Sequence, residues 1–148
     1  MFEIEKIRTS FVPNNGSPTG VACLLAILNL YDKELPDIYL FRLKQCGNRI
    51  VTLSELKQVA IELGLYADIR LLDVEELKDI QSAVILFFED ELGKKDYAVY
   101  YGFDGKRFIL GEPGSGLMQY LPKEMETMWI QGISLIIALE PDTPFYSL

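Results

Sequence analysis

The chain carries two thiols, Cys23 and Cys46, and no histidine. Hydroxyl and thiol nucleophiles usually rely on imidazole, with an unperturbed pKa of ~6.5, to take their proton near neutrality. Lysine or an N-terminal amine substitutes in rarer designs. A working Cys–His or Ser–His protease is therefore excluded by composition. Free cysteine is among the most buried residue types, so both thiols are expected to be reduced and in the core. A Cys23–Cys46 disulfide stays open, since two cysteines alone do not decide it. Without histidine or a CxxC pair no zinc site is expected, and the chain shows no sign of another cofactor.

Carboxylates are plentiful, at 22 against 14 Lys plus Arg. Glu89, Asp90 and Glu91 could suggest a glycosidase pair, yet they sit together in a loop-like stretch and read as solvated charge. Asp73, Glu75 and Glu76 suit a helix N-terminus, where the macrodipole favours anions. Gly111-Glu-Pro-Gly-Ser-Gly116 lacks the Lys-Ser/Thr ending of a phosphate loop, so it reads as a turn between strands. Tyr97, Tyr100, Tyr101 and Phe103 are expected mainly in core and sheet. A peptide-binding face is the lesser reading, because tyrosines favour interfaces. Trp129 reads first as a core anchor and second as a ligand platform.

The net charge of −8 repels phosphate backbones, so no nucleic-acid partner is expected. An anionic membrane surface is disfavoured for the same reason, whereas a basic or mostly apolar peptide is compatible. A length of 148 residues suits one domain. With 49% hydrophobic residues it can build a core without metal or disulfide help. Met1 to Lys6 do not read as a secretory signal, and no apolar run approaches the ~20 residues of a membrane helix. The chain is expected to be cytoplasmic, either as it stands or as a piece of a larger membrane protein.

The elements that must position these groups follow from periodicity. Thr9 to Pro18 is loop-like, rich in Asn, Pro, Gly and Ser. Thr19 to Tyr31 is nearly all apolar and reads as a buried helix, with Ser17 as N-cap and Pro18 in the first turn. A second helix follows Pro36 and ends at Gly47. Thr52 to Glu55 forms a capping box for a third helix, which runs to Gly64. Tyr66–Leu72 reads as a strand, Asp73–Lys78 as a short helical turn and Ser82–Phe88 as a buried strand. Asp96–Phe103 pairs with Lys106–Leu110 across Asp104-Gly105, a hairpin signal. Leu117–Leu121 is a further strand, Pro122–Trp129 a helical turn and Gly132–Leu139 a last buried strand. Helices first and an antiparallel sheet second predict an α+β fold.

Five stretches then fall in a telling order: Thr19-Gly-Val-Ala-Cys-Leu24; Thr52-Leu-Ser-Glu-Leu56 with Ala60 and Leu63-Gly-Leu65; Asp96-Tyr-Ala-Val-Tyr100; Glu112-Pro113 with Gly116; and Trp129 followed by Gly132. From roughly Arg8 to Leu139 this order resembles the papain-like domain at the N-terminus of bacteriocin-processing ABC exporters, the double-glycine leader peptidases. The tail from Leu139 to Tyr146 resembles the exit toward a transporter's first membrane segment.

The resemblance implies a papain-like fold: N-terminal helices on a C-terminal antiparallel sheet, one domain over 1–148, as the N-terminal part of a longer transporter or alone. It also implies that Thr19 stands at the nucleophile position, Asp96 at the histidine position and Glu112 at the orienting-carboxylate position. The oxyanion position falls near Pro13 or Asn14, and Cys23 matches a second, structural cysteine. With each catalytic position replaced, the expectation is a non-enzymatic domain. It would dock a leader peptide or unfolded secretion substrate for an ABC-type exporter, with transmembrane and ATPase parts as partners. Tyr97, Tyr100 and Trp129 are the expected peptide contacts. Thr19 with Asp96 as base is a weak catalyst on paper, because a carboxylate of pKa ~3.9 is poorly matched to a hydroxyl. Two rivals stand beside this: a structural or regulatory pseudo-enzyme that binds no peptide, and a hydrolase working through Cys23 or carboxylates.

Overall fold

The computed structural model describes residues 1–13, 18–44, 51–89 and 92–140. Four helices, α1 (Ile4–Ser10), α2 (Thr19–Leu30), α3 (Asp37–Lys44) and α4 (Leu53–Glu62), precede a six-stranded sheet. The strands are β1 (Tyr66–Leu71), β2 (Ala83–Glu89), β3 (Lys95–Phe103), β4 (Phe108–Glu112), β5 (Gly116–Tyr120) and β6 (Trp129–Ala138). Their spatial order is β1-β6-β2-β3-β4-β5, and every pairing is antiparallel. Two short helices, α5 (Val74–Lys78) and α6 (Pro122–Met128), sit in the connections. The α+β expectation holds.

Alternation along the central strands explains why β2, β3 and β6 read as continuous apolar runs. Ile85, Val99, Leu135 and Ile137 join Leu24, Ile27, Leu28, Leu56 and Val59 in one core under α1–α4. Val84, Leu86, Ala98, Tyr100 and Ile136 face the other way, into a second core with Leu77, Met125 and Trp129 from α5, α6 and the start of β6. The sheet is therefore covered on both faces.

Helix α2 owes its place to burial, since Val21, Cys23, Leu24, Ile27 and Leu28 are all buried. Just past its last turn the Tyr31 hydroxyl donates to the Ile137 carbonyl at 2.6 Å and accepts from the Ala83 amide at 3.0 Å. That pins the helix to the two central strands. Helix α4 starts as its sequence dictates, with the Thr52 hydroxyl accepting from the Glu55 amide. Asp73 and Glu76 close a reciprocal capping box on α5.

The structure departs from the sequence expectations in four places. Thr9 and Ser10 end α1 instead of opening a loop. No side chain caps α1; it is held by burial of Ile7 and by Asn29 Nδ2 donating to the Ser10 carbonyl, so local propensity could not show it. Pro18 is the N-cap of α2, and Ser17 lies outside the described residues. The β3–β4 turn takes four residues, because the Asp104 carboxylate accepts from the Lys106 and Arg107 amides and the Asp104 amide donates back to the Arg107 carbonyl. Strand β6 begins at Trp129, three residues before the expected Gly132, and turns through Gln131 and Gly132 at positive φ. The expected end of the second helix at Gly47, the position of Cys46, the charges of Asp90 and Glu91, and the tail beyond Glu140 lie outside the described residues.

Candidate active site

Thr19 opens α2 directly after its proline N-cap, and Asp96 is the second residue of β3. The Thr19 Oγ1 hydroxyl donates to Asp96 Oδ1. The same carboxylate oxygen accepts the Tyr97 amide at 2.9 Å, and Lys94 Nζ lies 3.8 Å from Oδ2. Gly20 makes the approach of helix and strand possible. A Cβ there would meet the Leu56 side chain at 3.1 Å and the Tyr97 ring at 3.2 Å.

Glu112 ends β4 and pairs with Gly116 across the hairpin to β5. The Ser115 amide donates to its carbonyl at 3.0 Å and closes the Pro113-Gly114-Ser115 turn. Its carboxylate accepts the Tyr120 hydroxyl at 2.5 Å. Thr19, Lys94, Asp96, Tyr97, Glu112 and the 113–115 turn line one small cleft of about 50 Å³, open to solvent, with Phe88 and Ala98 completing its wall.

Thr19, Asp96, Glu112 and Tyr97 line this one cleft, and Asn14 lies outside the described residues. Tyr100 and Trp129 are not brought to this cleft. Tyr100 is 0% exposed in the second core, its hydroxyl donating to the Leu77 carbonyl. Trp129 is 7% exposed in that same core, and its indole N–H donates to the Ile133 carbonyl. It borders a different groove, between the start of α5 and the end of α6. Tyr97 packs in the core under the helices and Tyr100 in the core on the other face of the sheet, so the two do not serve one surface. Sequence reasoning did not single out Phe88, Lys94 or Tyr120, and their membership depends on strand pairing that no local motif announces.

Burial sets the titration of the neighbouring groups. Cys23 lies one turn beyond Thr19, is 0% exposed, and its thiol is pushed up by burial and then by the Asp96 charge. Tyr97 is pushed up to about 12, by burial first and then by Asp96, Cys23 and Glu55. Cys23 is free and buried, as expected. Among the described residues, no three Cys, Asp or Glu side chains converge in a way that could hold a metal ion.

A model of the Peptidase C39 family matches residues 11–142. The chain belongs to that family. Over 116 residues, 78% of its length, it is 26% identical to the colicin V secretion/processing ATP-binding protein CvaB of Escherichia coli, and the match covers 16% of that relative. The chain thus spans a small part of that protein's length. In fold it is similar to the peptidase domain of Streptococcus ComA, described as a bi-functional ABC transporter involved in a quorum sensing pathway. The TM-score is 0.74 at 19% identity, covering 87% of this chain and 97% of that one. It is also similar to a double glycine motif protease from an AMS/PCAT transporter, solved in complex with its leader peptide. There the TM-score is 0.72 at 21% identity, covering 86% and 88%. The papain-like fold is therefore shown.

Membership corrects one expectation. The chain was expected to be no enzyme, on the ground that it lacks histidine and carries Thr19 at the nucleophile position. The family it belongs to is a peptidase family, matched across the whole site. Loss of imidazole removes one kind of base and does not by itself remove the reaction class. Chemically, the site offers a hydroxyl already bonded to a carboxylate. Attack of Thr19 Oγ1 on a peptide carbonyl would pass its proton to Asp96, the leaving amine would take it back as the peptide C–N bond breaks, and water would then have to hydrolyse the ester left on Thr19 to free the hydroxyl. A carboxylate is far less basic than an alkoxide, so turnover by this pair is expected to be slow.

Proposed function

We propose that this chain is the peptide-engaging domain of an ABC-type exporter, and that it receives an extended leader segment in the cleft framed by Thr19, Asp96 and Glu112. The observation that carries this is the meeting of the α2 N-terminus, the start of β3 and the β4–β5 turn at one solvent-open cleft. Family membership and the leader-bound relative support the choice of ligand. An extended segment can lie along the turn and offer its backbone to groups fixed there, in the manner of strand-like recognition. Tyr97 is mostly buried but lines the floor of this cleft, which supports it over Tyr100 as a contact for the segment. No helix among the described residues is long and apolar enough to cross a membrane. The exporter reading places residues 1–148 on the cytoplasmic side, as a domain attached to or partnering the membrane and ATPase parts.

The test is calorimetric titration with leader segments of secreted peptides encoded beside the gene, with mass spectrometry of the same mixtures. Saturable binding at micromolar peptide is expected, with cleavage slow or confined to long incubation. No heat and no product with any of them would remove the reading.

A further inference from the structure

We infer that Tyr120 is a positioning residue of the peptide cleft, holding the Glu112 carboxylate as a fixed hydrogen-bond acceptor for the bound segment. The inference rests on the peptide-binding reading and adds a specificity determinant to it.

Tyr120 is the last residue of β5 and lies opposite Phe108, while Glu112 lies opposite Gly116. One pair on the same face, Leu110 with Met118, lies between them, and the long tyrosine side chain spans it to reach the carboxylate. Its ring is buried, at 8% exposure, and packs on Phe88 with centroids 5.6 Å apart. Phe88 itself lines the cleft. The phenol is thus locked by packing before it donates to Glu112 Oε2 at 2.5 Å. A hydrogen bond from a fixed neutral donor to a carboxylate is short and strong, and it removes rotational freedom from a side chain that otherwise has three torsions. The family resemblance gave Glu112 an orienting role toward the Asp96 position. Tyr120 also holds this carboxylate, and Glu112 lines the cleft. A carboxylate so held recognises donors, here a backbone N–H or cationic side chain of the peptide, without the ordering cost a free glutamate would incur.

The experiment is a double-mutant cycle on the intact domain with Tyr120→Phe, Glu112→Gln and both together, reading peptide dissociation constants by calorimetry. Tyr120→Phe keeps the ring on Phe88 and loses only the hydroxyl. It is expected to weaken binding by about tenfold, and the double variant should be no worse than Glu112→Gln alone. The carboxyl carbon resonance of Glu112 should shift in Tyr120→Phe while the amide spectrum of the core stays in place, a change that loss of packing would not produce. Wild-type binding left unchanged by Tyr120→Phe, or fully additive losses, would overturn the inference alone. Wild-type protein that binds no peptide would overturn the peptide reading and this inference with it. A Glu112 resonance that still shifts there would show that the pair is structural only.

Discussion

At the scale of single residues, the site is a hydroxyl and two carboxylates gathered at one cleft. Thr19 and Asp96 meet, hydroxyl to carboxylate. Replacing Thr19 by Val keeps the shape and deletes the donor, so it should weaken peptide binding roughly threefold to tenfold. It should also abolish whatever cleavage the wild type shows, as read by calorimetry and mass spectrometry. Cys23 is a contrasting case. Its thiol is raised by burial and by Asp96, so the thiolate is scarce at pH values where an exposed cysteine reacts. Peptide mapping after alkylation of folded protein at mildly alkaline pH should find Cys23 unmodified, with labelling only after unfolding. Rapid labelling would mean that a reactive thiol lies one turn from the cleft. Thr19, Asp96 and Glu112 were singled out by the family resemblance, and local features alone marked only a proline before a helix, the start of an aromatic strand and a glycine-rich turn. Tyr120 and Lys94 carried no such mark. Their roles come from strand partners that are distant in sequence or from a loop charge that could face anywhere.

At the scale of elements, the sheet depends on two positions. Gly132 has φ of +68°, and a Cβ there would stand 2.0 Å from the Leu72 carbonyl oxygen, against backbone that donates to Gly132 O. Gly132→Ala is therefore expected to cost about 2 kcal/mol or more in chemical denaturation. A loss under about 0.5 kcal/mol would show that the β1–β6 edge relaxes easily. Tyr31, the C-cap of α2, ties the helices to the sheet. Tyr31→Phe strips the link from α2 to both Ile137 and Ala83 and should cost about 1–3 kcal/mol, because it leaves an amide and a carbonyl without that partner. Most elements were readable because periodicity and turn chemistry agreed: the Thr52 cap of α4, the Asp73 box of α5, the apolar runs of β2 and β6. Helix α1 was not readable. Its seven residues lack a side-chain cap and are stabilised by docking against α2, information that is tertiary from the start.

At the scale of the whole molecule, both faces of the sheet are buried, and three tyrosines of β3 sit inside. Tyr97 is pushed up to about 12, and Tyr100 and Tyr101 are also raised, each chiefly by burial. Their ordinary value is ~10. Below that value the neutral phenols contribute their full stability. Above it the unfolded chain loses protons that the folded chain keeps, so stability falls as pH rises toward the folded values. Alkaline titration should show tyrosinate absorbance lagging free tyrosine and then rising together with loss of the folded circular-dichroism signal. Independent, early ionisation in the folded state would contradict the packing of β3.

The most direct test is to locate the peptide on the domain by amide chemical-shift mapping during titration with a leader segment. Engagement at the cleft predicts saturable shifts concentrated at Thr19–Gly20, Lys94–Ala98 and Glu112–Gly116, all reaching saturation at correspondingly higher peptide in Thr19→Val. Shifts confined to another surface, such as the groove beside Trp129, or no shifts at all, would contradict peptide engagement at this site.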